Sequence, residues 1–149
     1  MAATDGGAMY LRASSPDLVN NLIVNNEANR GGGLFLLLTA GTFTNNTIAN
    51  NRSATRGGGF YLDGAAGSSP VLRNTVLWGN VTPDPSRGPQ MFLNNDNCNP
   101  QISYCNVQGN YAAFGGTGSG TFPESPGAGS SSSKLCRGQD LRFQVFRSI

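Results

Sequence analysis

The chain has 149 residues, of which 12% are charged, about half the fraction usual in soluble domains. Six arginines oppose seven acids in residues 1–127, so the overall charge of +2 comes from the basic residues after position 133. This balance provides no basic footprint for nucleic acid. The absence of histidine removes the commonest general base and metal ligand. No segment approaches the ~18 consecutive apolar residues of a membrane-spanning helix.

A glycine-rich motif followed by three apolar residues occurs four times. The copies begin at Gly6, Gly31, Gly57 and Gly88, at spacings of 25, 26 and 31 residues. The central apolar column consists of Tyr10, Phe35, Tyr61 and Phe92. It is flanked by Met9, Leu34, Phe60 and Met91 on one side and by Leu11, Leu36, Leu62 and Leu93 on the other. Glycine at one end and turn residues at the other predict a short strand here and not a helix.

An asparagine-rich motif follows each glycine motif, aligned on Asn26, Asn51, Asn80 and Asn110. Apolar residues lie eight positions earlier, at Leu18, Phe43, Leu72 and Ile102, and three positions earlier, at Ile23, Ile48, Leu77 and Val107. Between them lie Asn20, Asn45 and Asn74, with Tyr104 breaking the pattern. Asparagine tolerates the left-handed region, so these positions predict bends between short strands.

One period of about 25 residues is therefore predicted to hold two or three short strands and as many corners, with no helix of useful length. Stacking such units about 4.8 Å apart gives a parallel coil with asparagine and aromatic ladders. A lone coil cannot bury its apolar face, so at least three copies are needed, and four are visible. The sequence predicts an all-β parallel solenoid of about four coils.

The run Gly57-Gly58-Gly59-Phe60-Tyr61-Leu62, followed by the segment from Ser68 to Asn80, resembles right-handed parallel β-helix repeat proteins of the pectate-lyase-like superfamily. It is also similar to bacterial secreted or surface proteins of the choice-of-anchor and polymorphic outer-membrane types, which carry Gly-Gly-Gly-Ile-Tyr and Asn-Asn-Thr-Ile repeats. The resemblance covers about Asp5 to Asn110. It implies a right-handed β-helix, and it assigns a structural ladder at a turn to Asn20, Asn45 and Asn74.

The chain is predicted to divide into three parts. Residues 5–114 form the β-helix repeats. Residues 115–133 are rich in Gly, Ser and Pro and predict a flexible linker. Residues 134–149 form a tail, either disordered or holding one strand over the alternating residues Leu141, Phe143 and Val145.

No catalytic, metal or cofactor site is predicted. The resemblance implies, for an enzyme of the pectate-lyase type, clustered acids that hold calcium and a basic residue beside them. Asp63, Asp84 and Asp96 fall near loops of successive repeats, with Arg56 and Arg73 not far away, but no two acids share a column. The signatures of the related hydrolases (Asn-x-Asp, Asp-Asp, Gly-His-Gly and Arg-x-Lys) are absent.

The column Tyr10, Phe35, Tyr61 and Phe92 holds the candidate binding residues. If its neighbours point inward, alternation places these rings outside, where an aromatic stripe could bind a sugar face or another protein. Alternatively, the stripe is covered by a loop or points inward. We favour this second interpretation.

The three cysteines, Cys98, Cys105 and Cys136, leave two possibilities open: a Cys98–Cys105 disulfide, or free thiols, which we expect. The favoured function is a non-catalytic structural or adhesive segment of an exported bacterial surface protein, extracellular or at the cell surface in a longer parent chain. The alternatives are a fragment of a polysaccharide-degrading enzyme and a glycan-binding module. Expected partners are a surface glycan, a protein, or further copies of the chain stacked end to end.

Overall fold

A computed structural model describes residues 3–119, which form a parallel β-solenoid of about four coils. Every strand pairing in it is parallel, and each inner strand of a sheet pairs with its equivalents one repeat earlier and later. The predicted all-β solenoid is therefore confirmed. The repeat columns are confirmed as well, because Phe60 pairs with Leu34 and Met91, and Leu72 pairs with Phe43 and Ile102.

Each complete coil passes through four sheets, here named A to D in chain order. Sheet A holds β1 (Ala3–Asp5), β5 (Glu27–Arg30) and β9 (Arg52–Arg56). Sheet B holds β2 (Met9–Arg12), β6 (Leu34–Leu37), β10 (Phe60–Asp63), β13 (Met91–Leu93) and β16 (Phe114–Gly116). Sheet C holds β3 (Asp17–Val19), β7 (Thr42–Thr44), β11 (Val71–Arg73) and β14 (Gln101–Ser103). Sheet D holds β4 (Leu22–Val24), β8 (Thr47–Ala49), β12 (Val76–Trp78) and β15 (Asn106–Val107).

The count of two or three strands per period was too low, because sheet A was not predicted. In β5 only Ala28 faces inward and is buried, so the segment shows no apolar alternation. In the fourth coil two features replace this strand: an isolated bridge between Val81 and Arg52, and a 3₁₀ helix over Pro85–Arg87. Asp84 caps that helix by accepting a hydrogen bond from Ser86 N. A second 3₁₀ helix spans Asn110–Ala113.

The corners depend on residues with positive φ, as the repeats predict. Between sheets C and D these are Asn20, Asn45, Asn74 and Tyr104, with φ of 60°, 57°, 48° and 55°. Between sheets D and A they are Asn25, Asn50 and Gly79, and between sheets A and B they are Gly6, Gly31, Gly57 and Gly88. Asparagine and glycine enter this region at the lowest steric cost, which explains why they punctuate each coil.

One apolar core runs through the coils. The inward columns of sheets B, C and D fill it, with nearly all members less than 9% exposed: Leu34, Phe60, Met91, Leu36, Leu62, Leu93, Leu18, Phe43, Leu72, Ile102, Ile23, Ile48, Leu77 and Val107. Burying each such side chain stabilises the fold by roughly 1.5–3 kcal/mol.

The asparagine ladder lies one residue later than predicted. Asn20, Asn45 and Asn74 are exposed, because a left-handed residue turns its side chain outward at this corner. The ladder is formed instead by the following residues. Asn21 N and Nδ2 donate to Asn46 Oδ1 at 2.9 and 3.0 Å, and Asn46 Nδ2 donates to Leu18 O at 2.8 Å. The assignment to Asn20, Asn45 and Asn74 is therefore corrected.

Further ladders of the same design line two of the other three corners. At the corner between sheets D and A, Asn26 N donates to Asn51 Oδ1 at 3.0 Å, and Asn51 N donates to Asn80 Oδ1 at 3.0 Å. At the corner between sheets B and C, Thr39 N donates to Ser68 Oγ at 3.1 Å. Each interior side chain thus satisfies a backbone N–H of the coil before it, which an apolar residue could not do.

The C-terminal coil carries the two described cysteines, Cys98 and Cys105. Both are buried, and no disulfide joins them. Burial raises the pKa of the Cys98 thiol, against opposing hydrogen bonds from backbone groups including Ser68 and Asn95.

Strand β16 contains Gly115 and Gly116, the first two residues of the predicted linker. Residues 120–133, the tail 134–149 and Cys136 lie outside the described residues, so those predictions stand as made.

Candidate functional site

The predicted aromatic column is a continuous stack of rings on the outer face of sheet B. Tyr10, Phe35, Tyr61 and Phe92 lie in register, with successive ring centroids 5.1, 4.8 and 5.5 Å apart and interplanar angles of 13° to 14°. The register follows directly from the strand pairing of Tyr61 with Phe35 and Phe92.

These rings point away from the main core, yet most of them are covered. Phe35, Tyr61 and Phe92 are 2%, 2% and 7% exposed, whereas Tyr10 at the end of the stack is 47% exposed. The three covered rings form a small apolar cluster of their own, separate from the interior. The stripe therefore points outward, and neighbouring side chains cover it; the role of its residues in binding stays a prediction. The faces of the rings stack on one another, and only Tyr10 has a substantial exposed area left for a ligand.

A second column runs beside the rings and was not predicted. The residues directly before the four corner glycines are Asp5, Arg30, Arg56 and Arg87. Their backbones stack, since each arginine carbonyl oxygen accepts a hydrogen bond from the corner glycine one coil earlier. The donors to Arg30, Arg56 and Arg87 are the N–H groups of Gly6, Gly31 and Gly57, at 2.9, 3.1 and 3.0 Å. We call these four residues the pre-glycine column.

Two arginines of the pre-glycine column, Arg30 and Arg56, cover the rings. The Arg30 guanidinium carbon lies 5.0 Å from the centroid of Phe35 and 5.4 Å from that of Tyr61, and that of Arg56 lies 5.1 Å from the centroid of Phe92. These are cation–π distances, worth about 0.5–1 kcal/mol at exposed sites. The arginine side chains therefore explain why an outward-facing aromatic stripe is almost inaccessible.

Asp5 binds Arg30 through two hydrogen bonds. Arg30 Nε donates to Asp5 Oδ1 and Arg30 Nη2 donates to Asp5 Oδ2, each at 2.7 Å. The hydrogen bond to Asp5 raises the pKa of the Arg30 guanidinium, and burial partly offsets this increase. Within residues 3–119 this is the one ion pair, so Arg56 has no carboxylate partner in that part of the chain.

Burial raises the pKa of the Tyr61 hydroxyl above its ordinary value, with a smaller contribution from Asp63. The guanidinium groups of Arg30 and Arg56 oppose this shift. Tyr61 is therefore neutral at physiological pH and acts here as a packing residue with a polar tip.

The structure does not bring the candidate acids together. Asp63 accepts hydrogen bonds from Gly64 N at 2.8 Å and Asn94 Nδ2 at 2.9 Å, while Asp84 caps a 3₁₀ helix and Asp96 is exposed. Arg73 is exposed in β11 of sheet C, whereas Arg56 stands in the pre-glycine column. In the described part of the chain, no group of three or more His, Cys, Asp or Glu side chains could hold a metal ion.

The arginine column was not predicted, because the repeat is defined there by its glycines and the apolar residues after them and not by the residue before them. The signal was present in the sequence: position −1 from the glycine reads Asp, Arg, Arg, Arg over four copies. A charged residue repeated at one position of a stacked unit predicts a column of like charges, which must find a partner or face solvent.

Four parallel sheets wound into one stack, with polar ladders at the corners, define the protein as a β-solenoid. The family model described as "Right handed beta helix region" matches residues 3–132, and the chain belongs to this family. Searches of curated proteins and of solved structures found no match. Over residues 3–119, no helix is long and apolar enough to cross a membrane.

Proposed function

We propose that this chain is a non-catalytic structural or adhesive segment of an exported bacterial surface protein. One observation carries the proposal: the repeated polar and aromatic side chains are used in contacts between coils. Asn51 illustrates this, because it bonds the coil before it through Ile23 O at 2.9 Å and the coil after it through Asn80 Oδ1. Side chains that bond one coil to the next make the stack a rigid rod, and a rigid rod suits a structural or adhesive protein at a cell surface.

The main alternative is a fragment of a polysaccharide-degrading enzyme. General acid–base chemistry on a sugar chain needs ionisable groups held close to one scissile bond. Asp63 instead uses its carboxylate to hold a corner of sheet B, and Asp84 uses its own to cap a 3₁₀ helix. These roles support a structural function over a catalytic one.

Incubation of the purified chain with polygalacturonate, with and without calcium, tests the proposal. We expect no unsaturated product in the ultraviolet absorbance assay under either condition. Release of such product, abolished by Asp63→Asn but not by the matched change Asp96→Asn at an exposed loop position, would show an enzyme and refute the proposal.

A glycan-binding role is the second candidate, and Tyr10 favours it. Its ring is 47% exposed and stacks on Phe35 through one face only. If glycans bind there, Tyr10→Ala should abolish retention on a glycan array, while Tyr104→Ala, which removes a ring that is 87% exposed at a corner of sheets C and D, should not.

A further inference from the structure

Two arginines of the pre-glycine column lie over rings, and among the described residues one of them, Arg30, is paired with a carboxylate and the other, Arg56, is not. Arg30 covers Phe35 and at the same time binds the Asp5 carboxylate through Nε and Nη2. A cation–π contact does not use the N–H groups as donors, so one guanidinium can hold a ring and a carboxylate together. The first two coils therefore display a complete carboxylate-binding arrangement formed by the repeat itself.

Arg56 repeats this arrangement one coil further on, without the carboxylate. It lies over Phe92, the ring of the following coil, at 5.1 Å, as Arg30 lies over Tyr61, the ring of its own following coil, at 5.4 Å. The Arg56 side chain is partly exposed. No acidic side chain of residues 3–119 forms an ion pair with it. Its flanking rungs in the column are Arg30 and Arg87, both cationic, which makes the local field favourable for an added negative charge.

We propose that Arg56 is a binding site for a carboxylate of an acidic polypeptide segment, held as Asp5 is held by Arg30. The inference rests on the adhesive role proposed above and names the chemistry of its partner. Arginine suits this task because its planar fork matches a carboxylate with two parallel hydrogen bonds. The ring of Phe92 holds the guanidinium in place, which reduces the entropy lost when a ligand binds.

A protein carboxylate fits the site better than an acidic sugar. The carboxylate that the repeat already binds is an aspartate side chain, so an acidic peptide reproduces the observed contact. A hexuronic acid would gain from stacking on an aromatic face, but Phe35, Tyr61 and Phe92 are at most 7% exposed and stack on each other. Acidic sugars are therefore the competing outcome of the test.

The test is a titration of the full chain with a fluorescently labelled hexaglutamate peptide at low ionic strength, followed by anisotropy. We expect saturable binding that weakens as salt is added. Arg56→Gln should weaken it by about ten-fold or more, since it removes a charge-assisted pair of hydrogen bonds. Arg56→Lys should restore only part of the affinity, because lysine keeps the charge but lacks the fork.

Two further variants make the test specific. Arg73→Gln removes the same charge from the outer face of sheet C and should leave the affinity unchanged within about two-fold. Asp5→Asn frees Arg30 and leaves a second ring-covering arginine without a carboxylate, so it should strengthen binding. Circular dichroism and thermal melting of each variant confirm that it is folded.

Equal affinity of wild type and Arg56→Gln, or an equal loss in Arg73→Gln, would overturn the inference. It would also be overturned if oligogalacturonate bound at Arg56 and hexaglutamate did not bind. These failures are distinct from that of the proposed function, because lack of peptide binding leaves the polygalacturonate result unchanged. Cleavage of polygalacturonate would refute the non-catalytic role whatever Arg56 binds.

Discussion

Asn45 and Asn46 are neighbours in the sequence and perform different tasks. Asn45 takes φ of 57° and turns its side chain to solvent, while Asn46 is buried and joins three coils. Its Oδ1 accepts from Asn21 and its Nδ2 donates to Leu18 O. The left-handed residue sets the direction of the chain, and the next residue then satisfies the backbone inside.

Substitutions at these two positions should separate the two tasks. We expect Asn46→Ala to lower the free energy of unfolding by about 3 kcal/mol, because buried backbone groups lose their partners. Asn45→Ala should cost about 1 kcal/mol, the strain of an alanine in the left-handed region. Asn45→Gly should stay within about 1 kcal/mol of wild type. Urea denaturation measures all three, and a larger loss in Asn45→Ala than in Asn46→Ala would contradict the corrected ladder.

Tyr61 should make the fold sensitive to alkali. Its folded pKa is raised, mainly by burial, so the neutral form is favoured in the folded state. This contribution is complete below the ordinary tyrosine pKa of about 10 and is lost as the pH rises through the folded value. We expect the unfolding free energy to fall above about pH 10 in wild type and to fall less in Tyr61→Phe. Chemical denaturation across this range measures the difference, and parallel curves would contradict it.

The residue columns were predictable from the sequence, but the direction of each side chain within the asparagine pairs was not. Asn20-Asn21, Asn25-Asn26 and Asn45-Asn46 present two identical residues at each corner. Either member could adopt positive φ, and sequence spacing alone does not choose between them. Thr75 gave a clue, since it follows Asn74 at the ladder position and a β-branched residue is unfavourable at positive φ.

At the scale of elements, sheet A and sheet B meet closely through the glycine triplets. A Cβ at Gly32 would lie 2.4 Å from Arg52 O and 2.5 Å from Gly58 O, both backbone atoms of the next coil. A Cβ at Gly7 or Gly58 would likewise meet backbone atoms of the next coil, so the second position requires glycine in the first three copies, whereas Pro89 occupies it in the fourth. The third position is less restricted, because Ala8 and Gln90 occupy it in other coils.

Gly32→Ala should therefore be strongly destabilising. We expect a loss of about 2–3 kcal/mol, since neither backbone oxygen can move without disturbing the parallel pairing. The reverse change Ala8→Gly at the tolerant third position should cost about 0.5–1 kcal/mol. Thermal unfolding of the two variants checks the prediction, and similar melting temperatures for both would show that the coils separate more easily than the structure implies.

The strands of sheet A could not be predicted from the sequence, and the reason is physical. Its strands contribute little to the core, and their side chains face solvent or the aromatic column of sheet B. Hydrophobic periodicity detects strands by what they bury, so a strand whose main role is to carry Arg30 or Arg56 leaves no such pattern.

At the scale of the whole molecule, the strands at the two ends of the stack have unpaired backbone groups that can hydrogen-bond to another strand. In the described range, β3 and β4 pair on one side only, as do β14 and β15 at the other end. Unpaired edges of parallel sheets are templates for further pairing. Leu22, in the edge strand β4, is 70% exposed and adds an apolar contact to that end.

We therefore expect concentration-dependent oligomers in light scattering. Leu22→Lys should suppress them, because a charge on an edge strand opposes pairing. Trp78→Lys is the matched control in the same sheet, since Trp78 is 48% exposed in β12, which pairs with β8 on one side and β15 on the other. A strictly monomeric wild type would show that the ends are protected, and equal suppression by both variants would place the contact elsewhere.

The interior ladders have a direction, and this gives the solenoid an order of assembly. The N–H of Asn21 is satisfied by Asn46, 25 residues later, and the N–H of Asn51 by Asn80, 29 residues later. A chain released from the ribosome amino-terminus first must wait for about one further coil before each corner is complete. Every coil then serves as the template for its successor, and no contact of this type requires a distant part of the sequence. Such a protein can fold at the rate at which it is delivered, one turn at a time, with a single growing front.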